Sequence, residues 1–194
     1  VAGYSAGGAA AGATFYSGID KITFPADTKT TLSATLTTAR YGTSAMANSG
    51  VAGYVAGGQD ASGKVSGIDK IAFPADTKTT LVATLAAATN FATSSGMSDF
   101  GVAGYCGGGT AGASYVTTIY KITFSADTRT TLAATLTTAI GGLSAFADSG
   151  VAGYFAGGDP STSVIDKIAF PADTKTTLVA TLSTACFYPT AMAD

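Results

Sequence analysis

The chain has 194 residues, 46% of them hydrophobic and 11% charged, with a net charge of −2. That length can bury one core or two small ones, and the near-neutral balance gives no electrostatic footprint for DNA, RNA or an anionic membrane. There is no His, no Glu and no Trp, so the usual general base near neutral pH is missing and no Ser–His or Cys–His pair can form. All twelve acidic residues are Asp, a turn former that suits neither helix nor strand. No apolar run approaches the ~18–20 residues of a membrane helix. The first residue is Val1 and no signal-peptide pattern follows it. The sequence therefore reads as a processed product or a segment of something longer. Two cysteines, Cys106 and Cys186, are too few for a disulfide framework or a zinc site.

The sequence repeats itself four times, over 1–50, 51–101, 102–150 and 151–194. Each unit opens on VAGY, at 1–4, 51–54, 102–105 and 151–154. A double glycine stops that run: Gly7 and Gly8, Gly57 and Gly58, Gly108 and Gly109, Gly157 and Gly158. A stretch of varied length follows, then a motif running from I-D/Y-K-I-x-F through P/S-A-D-T to T-T-L-x-A-T-L, at 19–36, 68–85, 119–136 and 165–182. IDKIxF alternates like a strand. PADT predicts a type I turn, with Pro at its second position and Asp bonding amides two residues on. TTLxATL predicts a further strand. A small-residue strand closes the cycle: SAMANSG at 44–50, SSGMSDFG at 94–101, SAFADSG at 144–150 and TAMAD at 190–194. No helical stripe persists anywhere.

A small-residue strand, GYxAGG, an I-x-K-I-x-F strand and a D-T turn, repeated in register, resemble the kelch repeat. The same variant is similar to kelch-like repeats in virion structural proteins of tailed bacteriophages. The resemblance covers the whole chain. It implies an all-β fold, a single β-propeller domain over 1–194 built of four four-stranded blades. In that family the small-residue strand is innermost, VAGY is second and TTL outermost. Residues 190–194 would then supply the innermost strand of the first blade and close the ring; the rival is a segment of a longer propeller array. One departure from the family is that Leu32, Leu81, Leu132 and Leu178 stand where its Trp follows the turn.

Alternating strand directions send the connections to two faces. One face carries the PADT turns and the polar turns at 48–50, 98–101 and 148–150, nearly alike in every unit. The other carries connections that differ: 9–18, 59–67, 110–118 and 159–164, and the stretches after the outer strands. Loops on a rigid scaffold commonly carry binding. The candidate ligand-binding residues of this variable face are Phe15, Tyr16, Arg40, Tyr41, Asp60, Lys64, Asn90, Phe91, Tyr115, Asp159, Phe187 and Tyr188. Aromatic faces beside short polar groups suit sugar rings or a protein partner. The plainer alternative is that these aromatics cap the gaps between blades.

Other motifs carry less. One Asp per turn (Asp27, Asp76, Asp127, Asp173) falls short of the six to eight oxygens of calcium, so turn capping is the expected role. Asp20 with Lys21, Asp69 with Lys70 and Asp166 with Lys167 suggest ion pairs between blades, a pattern that Tyr120 breaks. The double glycines are not followed by the Lys-Ser/Thr of a phosphate loop and are expected to allow tight backbone packing. Neither catalytic nor metal site residues are expected, nor any cofactor; a Ser–Lys dyad is the residual catalytic route. The expected role is a non-enzymatic structural or binding module. Its setting would be a virion tail fibre or decoration, or another extracellular surface. Its partners would be other structural subunits or a cell-surface glycan or receptor, without nucleic acid or membrane insertion. The alternative is an intracellular kelch-type adaptor that binds one protein.

Overall fold

Small and β-branched residues punctuated by turn signals favour extended chain. The computed structural model of the protein accordingly contains strands and no helix among its described residues, which are all but Thr93, Ser94 and Asp194. Ser94, expected in the SSGMSDFG strand, and Asp194, expected to end TAMAD, lie outside the described residues. Counting each small-residue strand and the segment before it with the sheet they enter, the first unit holds β1 (Ala2–Ala6), a hairpin of β2 (Ala9–Ala10) and β3 (Thr14–Phe15), β4 (Ile19–Thr23) and β5 (Thr28–Thr31). The second holds β6 (Ser44–Asn48), β7 (Ala52–Ala56), the hairpin β8 (Gln59–Asp60) and β9 (Gly63–Lys64), β10 (Ile68–Ala72) and β11 (Thr77–Thr80). The third holds β12 (Thr89–Asn90), β13 (Gly96–Asp99), β14 (Ala103–Gly107), β15 (Thr110–Ala111), β16 (Ser114–Tyr115), β17 (Ile119–Thr123) and β18 (Thr128–Thr131). The fourth holds β19 (Ser144–Asp148), β20 (Ala152–Ala156), β21 (Ile165–Ala169) and β22 (Thr174–Thr177).

Three units form four-stranded antiparallel sheets in one order: β6-β7-β10-β11, β13-β14-β17-β18 and β19-β20-β21-β22. This is the order expected from the repeat, small-residue strand first and TTL strand last. The first sheet has three strands, β1-β4-β5. Residues 190–193, expected to complete it, form no strand, and no described strand pairs with the free edge of β1. The small-residue strands gather together, β13 lying against both β6 and β19. The outer strands are shorter than expected: each ends at TKTT or TRTT, and the chain then follows its own sheet through separate backbone bonds such as Leu32 N to Ile19 O and Leu36 N to Ser17 O. The last Leu of the motif still anchors it, since Leu36, Leu85 and Leu136 are buried.

The inner sheets are covered on both faces. Ile68 and Ile71 sit three apart and so point to opposite faces, yet both are buried. What covers them is the neighbouring sheet, through a contact that recurs. Tyr4 stacks on Phe73, Tyr54 on Phe124 and Tyr105 on Phe170, with centroids 4.5, 5.1 and 4.9 Å apart. Each Tyr belongs to one sheet and each Phe to the next. The same Tyr hydroxyls donate to Asp76, Asp127 and Asp173 at 2.7, 2.7 and 2.8 Å. Lys21, Lys70 and Lys121 reach the same carboxylates at 2.7, 2.7 and 2.8 Å. Each Lys lies opposite its Tyr in the strand register, which is why both arrive together.

These contacts correct the expected role of the turn Asp. Asp27, Asp76, Asp127 and Asp173 take positive φ of 51–56°. The turn closes from Asp76 N to Ala72 O, one residue wider than a type I turn. In that geometry the carboxylates of Asp76, Asp127 and Asp173 point at the preceding sheet and do not cap their own turns. The between-sheet ion pairs therefore join Lys to a turn Asp. The Asp that precedes each Lys takes a different partner: Asp20 pairs with Lys29 of its own sheet at 3.0 Å.

This packing sets the cost of three substitutions. Tyr105→Phe keeps the stack and removes one bond to a carboxylate that retains Lys121, so it should cost about 1 kcal/mol in a urea melt. Gly57→Ala should cost about 3 kcal/mol, because φ is 63° and a Cβ would lie 2.6 Å from Thr89 O. Gly112→Ala, at φ 57° but with open space around it, should cost only about 1 kcal/mol in the same measurement.

Candidate functional site

The variable face is built where the double glycines let two chain segments meet. The second glycine of each pair donates to the carbonyl of the residue that starts the crossing to the next sheet. The bonds are Gly8 to Arg40, Gly58 to Thr89, Gly109 to Ile140 and Gly158 to Cys186, at 2.8–2.9 Å. A Cβ on Gly7 would sit 2.6 Å from Arg40 O, so only glycine admits this approach. The crossing segment then pairs with the hairpin of the sheet it enters: Tyr41 with Gln59, Asn90 with Thr110, Gly141 with Asp159.

Several of the twelve candidate residues fall into seams between neighbouring units, and they do not gather into one pocket. Phe15 and Tyr41 stack at 5.2 Å across the first seam. At the second, the Asn90 amide donates to Gln59 Oε1 at 3.1 Å, and its own Oδ1 accepts from Ala92 N at 2.8 Å. Lys64 spans the same seam to Gly112 O at 2.6 Å. Asp60 holds its own hairpin by accepting from the amides of Ser62 and Gly63. At the third, the Tyr115 hydroxyl donates to the Asp159 carboxylate, which raises the phenol above its ordinary pKa. The Tyr188 ring lies against Gly142 in the same seam.

Three candidates are buried: Asn90 within its seam, and two others deeper in the interior. Phe91 is fully buried in the core around Tyr54, Leu85 and Cys106. Arg40 is 2% exposed and bonds Asp69 at 3.0 Å and Val55 O at 3.3 Å. A lone Arg at a loop position reads from sequence as a surface charge, and only the fold brings Asp69 to it. Tyr16, Phe187 and Tyr188 remain open to solvent, Phe187 at 63% exposure. Phe187 and Tyr188 meet edge to face at 6.0 Å. They form the aromatic part of the face that a partner can reach.

The sequence reading missed Asp69 and Asp166 as structural centres. Asp69 accepts the Thr37 amide at 2.8 Å and the Thr37 hydroxyl at 2.6 Å. Asp166 accepts the same pair from Thr137 at 2.7 and 2.6 Å. Thr37 and Thr137 belong to the preceding unit in each case. A signal for this lay within the repeat: the unit with Tyr120 in place of the Asp is preceded by Ala86 in place of the Thr. Burial pushes both carboxyls up, but the Thr bonds together with Arg40 on Asp69 and Lys175 on Asp166 outweigh it. Both are held below the ordinary carboxylate value.

The remaining chemistry is muted. Burial pushes the Cys106 thiol up to about 12, so it is no nucleophile at neutral pH. Among the described residues no three His, Cys, Asp or Glu side chains gather closely enough to hold a metal. No protein-family model matches the chain, and no curated protein sequence matches it significantly.

Arg40→Ala should destabilise the protein by about 3 kcal/mol in chemical denaturation, because it removes the buried guanidinium from the Asp69 carboxylate and leaves a cavity in its place. The depressed pKa values of Asp69 and Asp166 contribute stability that is complete above the unfolded value, about 4, and is lost as pH falls through their lower folded values. Melting temperature should therefore stay level from pH 5 to pH 8, where no His titrates, and drop below about pH 4. The D69N/D166N double variant should melt lower at pH 7 and show a shallower acid limb.

Proposed function

We propose that the four sheets are kelch-like blades of a propeller-type module and that the chain is a non-enzymatic structural and binding component. Its setting is a virion, as tail fibre or decoration, or another extracellular surface. Its ligand is a surface glycan or a protein receptor held at the variable face. The observation that carries the reading is the division of labour among the repeats. The contacts between sheets are copied from unit to unit, whereas the loops that bear Tyr16, Phe187 and Tyr188 are not.

A copied contact serves folding; an uncopied, exposed aromatic does not have to. Open aromatic rings on a rigid support stack on sugar faces at low entropic cost. Further support comes from the side chains at hand. The chain has no His or Glu, its buried thiol is protonated at neutral pH, and its buried acids are held in bonds, Asp69 and Asp166 to Thr and to Arg or Lys, Asp99 to Ser149 and the Gly150 amide. None of these is a free acid, base or nucleophile.

Screening the chain on an array of bacterial and host glycans tests the reading. A hit should disappear in a Tyr16→Ala, Phe187→Ala, Tyr188→Ala triple variant whose melting temperature stays within a few degrees of the parent. Binding that survives the triple variant, or capture of one stoichiometric intracellular protein in place of a glycan or surface receptor, would sink it.

A further inference from the structure

The contact that joins neighbouring sheets is made three times within the chain, and its two halves are left over at the ends of the series. Phe24 and Asp27 of the first sheet occupy the positions of Phe73 and Asp76. Phe24 is 49% exposed, against 5% for its counterpart Phe124. Tyr154 and Lys167 of the fourth sheet occupy the positions of Tyr105 and Lys121. Lys167 lies over the Tyr154 ring at 5.9 Å, and among the described residues neither reaches a carboxylate. A second contact is split in the same way. Ser183 matches Thr37 and Thr137, and Asp20 matches Asp69 and Asp166. The hydroxyl and the carboxylate are thus both retained although nothing in the structure joins them.

The third unmatched pair concerns a strand. Met46 of β6 lies against Gly104 of the next sheet, and Met97 of β13 lies against Gly153 of the next. Gly53 is the equivalent glycine of the second sheet, and a Cβ there would meet only Phe73. It has no Met because the first sheet has no small-residue strand. In place of that strand is an apolar groove of about 900 Å3 along the free edge of β1, floored by Tyr4, Met46, Gly53 and Phe73. Residues 190–193 carry the missing sequence, Thr-Ala-Met-Ala, and Met192 is 92% exposed. The pairing of β6 with β7 sets Ala45 opposite Val55 and Met46 opposite Tyr54. Transferred to β1, it sets Ala191 opposite Ser5 and Met192 opposite Tyr4, with the methionine over Gly53.

We propose that the groove along β1 receives residues 190–193 of a second copy of this chain, so that copies join head to tail. Lys167 of one copy then meets Asp27 of the next, Tyr154 stacks on Phe24, and Ser183 bonds Asp20. Strand addition supplies the backbone bonds that the edge of β1 lacks, and the Met side chain fixes the register. Neither the fourth sheet nor residues 190–193 of the same chain line the groove. An interface of this kind uses different surfaces on its two sides and builds a ring or a filament. The inference rests on the blade reading, which the Tyr105→Phe measurement tests separately, and on no ligand of the loop face.

The test uses the whole chain in a Cys186→Ser background. Light scattering should show mass rising with concentration, and Met192→Asp should abolish the rise while leaving the melting temperature of the dilute chain unchanged. A chain with Ser5→Cys, mixed with a chain with Ala191→Cys and oxidised, should give a cross-linked dimer on a non-reducing gel. A mass that stays monomeric at every concentration overturns the proposal. So does association that ignores Met192→Asp, or a mixture that gives no dimer. If the chain carrying both cysteines links only within itself, the groove is filled by its own terminus and the proposal also falls.

Discussion

The fold depends on one contact between sheets: a tyrosine and a lysine from one unit closing on a phenylalanine and an aspartate of the next. The ring stack buries apolar area, and the two charge-assisted bonds at 2.7–2.8 Å satisfy the phenol, the ammonium and the carboxylate at once. Because the partners come from different units, no unit completes its own core. Each sheet is apolar on both faces, as the opposite-facing pair Ile68 and Ile71 shows, and becomes stable only when a neighbour covers it. Stability of this kind adds up along the series, neighbour by neighbour.

The double glycines play the complementary part at the other end of each sheet. Their positive φ and missing Cβ let the crossing segment lie on the hairpin of its own sheet before it enters the next. The crossing is held by backbone bonds, so its side chains are free to differ. That is why one position can be Arg40, Thr89, Ile140 or Cys186 without loss of the fold. Where the side chain happens to be Arg40, it turns inward to Asp69; where it is Thr89, it stays buried beside Phe91. The variable face is therefore partly a set of local solutions to packing between units. Its freely exposed portion narrows to Tyr16, Phe187 and Tyr188.

The order of strands within a sheet was legible in the sequence because it follows from local signals. Alternation marks IDKI, glycines stop VAGY, and the spacing of the repeat sets the sequence of hairpins. The same local logic misread PADT. An Asp in a turn ordinarily bonds its own backbone, but here a positive φ aims the carboxylate at a tyrosine 68 to 73 residues earlier in the chain, as with Tyr4 and Asp76, 72 apart. It also kept Arg40 and Phe91 on the surface, since a residue in a loop of variable content carries no local mark of burial.

The sequence by itself determined the all-β class, the four units, the strand order and the absence of histidine and glutamate, because each is a property of neighbouring residues or of composition. Only the tertiary structure decided which tyrosine meets which aspartate, which loop residues are buried, and that β1 keeps a free edge beside an apolar groove. Those facts arise from contacts between units some fifty residues apart, and a repeat that looks the same in every copy does not state which copy it touches.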